Sequence, residues 1–242
     1  GREAIISIPK GLSFDQIVKR LQEQDIVKKA WKFKLLARFK DQASEVQAGE
    51  FRIHTNWPPP RILKTLTQGK AVLYKLSIPE GLTWWETARI VQKSGLASYS
   101  SFASAIKNAT LLQKHNIPAS TAEGYLFPET YHVPRPEDKS ARPIVSSMLQ
   151  EFWRQTKQKL WPEDPPKPEK LHRLITLASL VEKETSIASE RATVAGVYIN
   201  RLEKGMRLQC DPTIIYGLGR DFDGNLTKEH LKDSANRYNT YK

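Results

Sequence analysis

Residues 7–14 read Ser-Ile-Pro-Lys-Gly-Leu-Ser-Phe, and residues 77–84 repeat them as Ser-Ile-Pro-Glu-Gly-Leu-Thr-Trp. Both copies place an alternating strand, at 4–8 and 73–78, before a Pro-x-Gly turn. A Ser or Thr N-cap then opens a helix. In the second copy Glu86 follows Thr83 at the spacing of a capping box. The sequence therefore predicts a duplicated strand–turn–helix unit.

Each copy continues through a second helical stretch into an aromatic strand candidate, at residues 48–53 and 123–127. This strand–helix–helix–strand order resembles LysM modules, which are small folds that bind N-acetylated glycans. The resemblance implies glycan binding, but a duplicated scaffold without a ligand explains the same pattern. Both interpretations stay open at this point.

Prolines and turn residues divide the rest of the chain. The Trp-Pro-Pro-Pro run at 57–60 precedes a short helix at 61–68 that Gly69 ends. A turn-rich linker at 134–138 precedes a long helix around 144–160, and the run at 161–168 marks the clearest boundary. We predict an α+β fold with four parts: a first LysM-like unit at 1–70, a second at 71–133, a linker helix and Pro-rich break at 134–168, and a mainly helical domain with short strands at 169–242.

Composition indicates a globular protein with a positive surface. The 242 residues carry a net charge of +12, and 39% are hydrophobic. No apolar run approaches the roughly 18 residues that a membrane-spanning helix needs. The basic residues are scattered without a nucleic-acid-binding motif, which argues against that class of partner. The single cysteine, Cys210, excludes an internal disulfide and any metal site built from several cysteines.

Residues 171–184 predict a helix that is apolar on nearly every face and therefore lies inside a domain. Glu182 and Glu184 stand at its end. A carboxylate carried into a core is desolvated, which raises its pKa and suits a general acid. The alternative is that both glutamates face water at a frayed helix end. Helical periodicity places Glu182 on the stripe of Leu171 and Ala178, which slightly favours Glu182 over Glu184.

A long composite motif resembles one known family. The motif includes Leu-Ala-Ser-Leu-Val-Glu-Lys-Glu-Thr at 177–185 and Gly-Met-Arg-Leu-Gln-Cys-Asp-Pro-Thr-Ile-Ile-Tyr-Gly at 205–217. It extends to Glu-Arg at 190–191, Val-Tyr-Ile-Asn-Arg-Leu at 197–202, Tyr-Asn-Thr-Tyr at 238–241 and Glu-Gly-Tyr-Leu-Phe-Pro-Glu-Thr-Tyr at 123–131. These residues are similar to the MltG (YceG-like) family of endolytic peptidoglycan lytic transglycosylases. The resemblance makes 169–242 the catalytic domain and Glu184 the catalytic residue.

The resemblance implies a mechanism with one carboxylate, whereas most hydrolytic glycosidases use two. Glu184 would protonate the oxygen leaving N-acetylmuramic acid and then take the proton of its C6 hydroxyl, giving a 1,6-anhydro end. No metal or cofactor is implied. The groove of the family would be lined here by five residues: Gln209, Asp211, Tyr216, Asn239 and Tyr241.

The resemblance also implies partners and a location. The substrate would be peptidoglycan glycan strands, with peptidoglycan synthases as partners. The protein would be single-pass in the inner membrane, with this portion on the periplasmic side and the anchor outside this chain. The family continues beyond residue 242 through a Gly-Leu-Pro-Pro-Gly-rich stretch, so we expect an open groove or an inactive fragment. Cys210 stands where the family more often has a small hydroxyl residue, so we expect the thiol to be tolerated, with loss of a hydrogen bond near the site.

Several residues near the motif allow two interpretations. Asp211 is either a supporting carboxylate or the start of a helix. The pair Glu190 and Arg191 predicts a structural ion pair or cap, and Lys183 predicts a solvated charge. Three aromatic residues either stack on sugars or pack in the core: Tyr125, Phe127 and Tyr131.

Two other functions compete with the lytic transglycosylase. One is a peptidoglycan-binding module without catalysis, in which the glutamates are structural. The other is a pyridoxal-phosphate-dependent aminodeoxychorismate lyase. That lyase lacks support because no Gly-rich phosphate loop precedes a helix and Lys183, between two glutamates, is a poor Schiff-base residue.

Overall fold

A computed structural model describes residues 1–136 and 138–242. Helices dominate and the strands are short, so the chain has the predicted α+β class. The elements are β1 Glu3–Ile8, α1 Phe14–Glu23, α2 Ala30–Phe39, β2 Gly49–His54, α3 Pro59–Gln68, β3 Tyr74–Ser77, α4 Trp84–Lys93, α5 Tyr99–Ala105, α6 Ala109–Lys114, β4 Thr130–Val133, α7 Arg142–Lys159, α8 Pro168–Glu184, α9 Arg191–Glu203, α10 Asp211–Leu218 and α11 Lys228–Lys232.

The chain forms two compact units, the first of residues 1–77 and 130–140 and the second of residues 78–129 and 141–242. These units cut the chain at places other than the predicted 70, 133 and 168. The predicted boundaries rest on the repeat and on composition, and they stay a prediction. Of the predicted linker at 134–138, Glu137 lies outside the described residues.

The first unit is built on two antiparallel strand pairs. β1 pairs with β2 from Glu3 opposite His54 to Ile8 opposite Gly49. β3 pairs with β4 over four residues. Side chains on one face of β1 and β2 and on helices α1, α2 and α3 form one apolar core. Phe33 on α2 and Phe51 on β2 are fully buried in it.

Both repeated turns carry the predicted helix caps. The Thr83 hydroxyl accepts the Glu86 N–H, and Glu86 in return accepts the Thr83 N–H at 2.8 Å. Ser13 and Gln16 make the same reciprocal pair at the start of α1. Since each cap satisfies two backbone donors that a helix start leaves unpaired, the caps fix where α1 and α4 begin.

The second copy departs from the prediction in two ways. The strand predicted at 123–127 is wrong, because these residues form a turn and the strand lies later, at β4. The strands β3 and β4 belong to the first compact unit, whereas helices α4, α5 and α6 between them belong to the second. The strands of the second copy thus fall in a different compact unit from its helices, and the LysM-like duplication stays a hypothesis.

In the second unit, α7 has the predicted buried stripe, with Ile144, Met148 and Phe152 nearly inaccessible. The prediction that α8 is buried on nearly every face is wrong. Within the described chain Leu171 and Val181 are its buried residues, and Leu174 is 39% exposed. The reason is that its main helical neighbours, α9 and α10, cover part of its surface. In the part of the chain that the structure describes, no helix is long and apolar enough to cross a membrane.

Candidate functional site

Glu184 is the last residue of α8, and two side chains from other elements reach its carboxylate. The Tyr198 hydroxyl, from the middle of α9, donates a hydrogen bond to Glu184 Oε2 at 2.9 Å. The Cys210 thiol lies 3.7 Å from the same oxygen. Burial raises the pKa of the Tyr198 phenol, so this residue remains a hydrogen-bond donor at neutral pH.

The setting of Glu184 differs from the predicted enclosure. The residue as a whole is exposed, because α8 ends there and the chain turns away through residues 185–187. A long side chain at a helix end reaches solvent with one oxygen while the other is held by Tyr198 and Cys210. The carboxylate is therefore accessible to a large ligand and is oriented from one side.

Cys210 anchors the loop that faces Glu184. Its side chain is buried, and burial raises the pKa of the thiol. The Cys210 N–H donates to Thr240 Oγ1 at 2.9 Å, and the Gln209 N–H donates to the Thr240 carbonyl at 3.1 Å. The thiol is placed to donate a weak hydrogen bond to Glu184 Oε2, and the expected loss of a hydrogen bond at this position stays a prediction.

Asp211 and Tyr241 form a pair beside this loop. The Tyr241 hydroxyl donates to Asp211 Oδ1 at 2.5 Å. That hydrogen bond, followed by burial and the Asp211 charge, raises the pKa of Tyr241 to about 12. Asp211 is the first residue of α10, which confirms the interpretation as a helix start, and its role as a supporting carboxylate stays a prediction.

The remaining predicted groove residues have different surroundings. The Asn239 amide donates to the carbonyls of Leu231 and Asp233, at 3.1 and 2.7 Å, and its side-chain oxygen accepts the Tyr241 N–H. These bonds give Asn239 a role in holding the loop. Gln209 has a positive φ of 52°, a strained backbone for a residue with a side chain.

Charged residues close to Glu184 in the sequence make contacts with residues other than Glu184. Arg191 lies 3.4 Å from Glu182 Oε2, so Arg191 pairs with Glu182. Glu190 instead accepts the Thr185 hydroxyl at 2.8 Å and stands at the N-cap position of α9, so the predicted structural role, ion pair or cap, is divided between the two residues. Lys183 is exposed as predicted, yet it also donates to the Gly81 carbonyl at 3.2 Å.

Gly124 fixes the approach of α8 to the turn at 123–125. Its φ is +81°, and a Cβ there would lie 2.8 Å from Ile175 Cγ2 on α8. Next to it, Tyr125 is fully buried with its ring stacked on His172 of α8. Tyr125 and Tyr131 are both buried, which supports packing for these two residues over stacking on sugars.

Glu123 is a second carboxylate that the sequence did not single out. Its Oε2 accepts the Tyr216 hydroxyl at 3.1 Å and the Trp84 N–H, at the start of α4, at 3.3 Å. Burial raises the pKa of Glu123, and those two hydrogen bonds oppose the rise. The sequence signal for Glu123 was its position in the motif at 123–131. Because residues 123–127 were predicted as a strand, Glu123 was not considered as a site residue.

Tyr216, one of the predicted groove residues, belongs to a continuous run of five aromatic rings. We call this run the aromatic platform. Neighbouring ring centroids lie 4.9 to 5.9 Å apart. Four of the rings are half-buried and Tyr238 is 54% exposed, so one side of the run reaches solvent. In order, its members are Tyr99, Trp84, Trp85, Tyr216 and Tyr238.

A pH-dependent stability follows from Glu123. Its pKa is higher in the folded protein than in the unfolded chain, so the folded state binds more protons between the two values. Raising the pH through this window, from about pH 4 upward, therefore lowers the free energy of unfolding. We expect Glu123→Gln, which cannot ionise, to gain stability relative to the wild type as the pH rises.

Urea unfolding of both proteins between about pH 4 and pH 8 measures this difference. Glu163→Gln, at an exposed carboxylate between α7 and α8, is the control, and its difference from the wild type should stay constant. A Glu123→Gln difference that is equally constant with pH would contradict the assigned burial.

No metal site emerges from the ranges 1–136 and 138–242, where no group of three or more His, Cys, Asp or Glu side chains is placed to hold an ion. What the described residues offer is one accessible carboxylate oriented by a phenol and a thiol, with an aromatic surface in the same compact unit. This arrangement suits acid–base chemistry on a ligand with flat apolar faces.

Comparison with known proteins gives one consistent result. A family model described as the YceG-like family matches residues 6–242. A Bacillus subtilis protein named endolytic murein transglycosylase is 29% identical over 98% of this chain and 69% of its own length. A Streptococcus pneumoniae protein of the same name is 29% identical over 98% of this chain, which spans 48% of that relative. The crystal structure of a YceG-like protein from Listeria monocytogenes aligns over 99% of this chain and 83% of its own, at 26% identity and a TM-score of 0.57.

Proposed function

Because this chain belongs to the YceG-like family, we propose that it is an endolytic murein transglycosylase in which Glu184 is the catalytic acid and base. The proposed bond is the one between N-acetylmuramic acid and N-acetylglucosamine, and the product carries a 1,6-anhydro end. The observation that carries the proposal is the Glu184 carboxylate, exposed at a helix end with Oε2 held by Tyr198.

The proposed chemistry needs one carboxyl group that works twice. Protonated Glu184 first gives its proton to the glycosidic oxygen as the bond to the anomeric carbon breaks. The carboxylate then removes the proton of the C6 hydroxyl of the same sugar, whose oxygen attacks the anomeric carbon. Glu184 ends protonated, and no water is consumed. The Tyr198 hydroxyl supports the intervening carboxylate by donating to it.

The aromatic platform supports a glycan as the ligand. Aromatic rings offer flat apolar faces, and sugar rings present C–H groups on theirs. Glu123 holds two members of the platform, since its Oε2 accepts from the Tyr216 hydroxyl and from the N–H of Trp84. We propose that sugar rings of the strand stack on Trp85 and Tyr216.

We also propose a LysM-like origin for part of the fold, a location for the protein and a class of partner. The two capped turns, at Ser13 and at Thr83, support a LysM-like origin for the strands and helices around them. A murein substrate lies outside the cytoplasmic membrane, so we propose an extracytoplasmic location. Synthases that make the strands are the proposed partners.

Product analysis tests the proposed reaction. Uncrosslinked glycan strands are incubated with the complete protein and the ends are identified by mass spectrometry. Transglycosylation gives an end lighter than the hydrolysed sugar by the mass of one water, because water is not added. Hydrolysed ends, or unchanged strands that bind tightly, would contradict the proposal and favour a hydrolase or a binding module respectively.

A single substitution tests the platform. We expect Trp85→Ala to weaken binding of uncrosslinked glycan strands by about tenfold, because it removes a central stacking surface. Trp85→Phe should restore part of the affinity. Trp31→Ala, which removes an exposed tryptophan in the first unit, is the matched control and should bind normally. Equal affinities for all four proteins in a calorimetric titration would rule the platform out.

A further inference from the structure

Helix α2 exposes a stripe of large apolar side chains that the proposed activity does not use. Trp31, Leu35 and Phe39 are 64%, 60% and 91% exposed. They stand at every fourth position, so they line one side of the helix. We call these three residues the α2 stripe. Single exposed apolar residues are common, but three in a row on one helix mark a contact surface.

The opposite side of α2 accounts for the helix's packing. Phe33 and Ala37 are fully buried there, in the core of the first unit. The helix therefore satisfies its structural role with one face and carries an apolar stripe on the other. Folding of this unit gives no reason for the stripe, because the exposed side chains bury little area in it.

Within the stretch of sequence that carries the stripe, every charged side chain is basic. The stretch 28–40 contains six basic residues and no acidic one: Lys28, Lys29, Lys32, Lys34, Arg38 and Lys40. At about 100° per residue, Lys32 lies beside Phe39 on one edge of the stripe, and Arg38 and Lys34 lie on the other. Lys34 contacts Asp15 at 2.7 Å, while the Lys32 ammonium lies over the Trp31 ring at 5.4 Å.

We propose that the α2 stripe docks on an anionic phospholipid surface. Tryptophan, phenylalanine and leucine enter the boundary between headgroups and acyl chains, and flanking lysines and arginines reach the phosphates. This combination of an apolar stripe with basic edges is that of helices that lie in a membrane surface. Docking through the α2 stripe does not require the proposed enzymatic activity.

Two other occupants fit the observations less well. A second copy of this chain would bring two sets of basic edges together, which repels. A stable protein partner needs about 800 Å² on each side, and beyond its three apolar residues the exposed part of this ten-residue helix is mostly basic. A lipid surface needs no matching shape and supplies many negative charges.

Vesicle co-sedimentation tests the proposal. The wild-type chain is spun with vesicles of phosphatidylglycerol and phosphatidylcholine, and in parallel with vesicles of phosphatidylcholine alone. We expect it to sediment with the anionic vesicles at low salt and to be released as salt is added. The double variant Leu35→Ser with Phe39→Ser should lose affinity by about tenfold or more, since the apolar contact is removed.

Matched controls keep the result specific. Leu73→Ser and Leu160→Ser remove leucines that are 53% and 62% exposed outside the stripe, and both should sediment like the wild type. Equal binding by the double variant, or equal binding to neutral vesicles, would overturn the proposal. So would wild-type dimers in light scattering that the double variant abolishes, because the occupant would then be a second copy. Glycan cleavage is read separately and does not enter this test.

Discussion

Replacing Glu184 with glutamine should lower the rate of formation of anhydro ends by about a hundredfold to ten-thousandfold in the complete protein. Glutamine keeps the size of the side chain and can still accept from Tyr198. It has no proton to give to the leaving oxygen and cannot take one back. The rate is followed by counting anhydro ends released from uncrosslinked strands over time.

The neighbouring glutamate is the matched control for this experiment. Glu182 lies on the same helix and pairs with Arg191, whereas Tyr198 and Cys210 contact Glu184. Glu182→Gln should keep much of the activity, and binding of strands by Glu184→Gln should stay near the wild-type value. Loss that is equal in both variants, or confined to Glu182→Gln, would show that the catalytic carboxylate has been misassigned.

Phe33→Ala should lower the free energy of unfolding by about 3–5 kcal/mol. The Phe33 ring is fully buried and stacks against Phe14 of α1, with centroids 6.2 Å apart. Removing it leaves a cavity where α1 and α2 meet, which the close-packed neighbours fill incompletely. Urea unfolding, followed by circular dichroism, measures the change.

The same helix supplies the control. Phe39→Ala removes an identical ring that is 91% exposed, so the free energy of unfolding should change by about 0.5 kcal/mol or less. A large loss at Phe39 would mean that the stripe is covered within the folded chain. A small loss at Phe33 would mean that the core of the first unit is wrongly placed.

Local signals in the sequence predicted most of the elements. The caps at Ser13 and Thr83 are made by neighbouring residues, so their pattern is readable without the fold. The period of Ile144, Met148 and Phe152 likewise predicted the buried side of α7. Such features depend on contacts within a few residues of each other.

Features that depend on distant contacts could not be predicted in the same way. The run at 123–127 has strand-like composition, yet Tyr125 is held by His172 of α8 and Glu123 by Tyr216 of α10. The apolar composition of α8 predicted burial, but how much of a helix is covered depends on its neighbours. The sequence therefore gave the wrong surroundings to both elements.

In the candidate site too, residues within the motif were predicted, whereas contacts between distant residues were not. The motif brought attention to Glu184, Asp211 and Tyr241, and the structure pairs the last two directly. Tyr198 lay inside the motif without a predicted role. Its hydroxyl reaches Glu184 from a different helix, α9, and that contact is visible only in the fold. Trp84 and Trp85 had no predicted role, since their part in the aromatic platform depends on contacts with Tyr99 and Tyr216.

Gly124 limits which residues can occupy the turn at 123–125. A methyl group at this position would collide with Ile175. The turn at 123–125 therefore packs this closely against α8 only with glycine at 124. Any larger residue would force the Ile175 side chain to shift and would also be strained by the positive φ of +81°. The packing of α8, whose last residue is Glu184, thus depends partly on a residue that has no side chain.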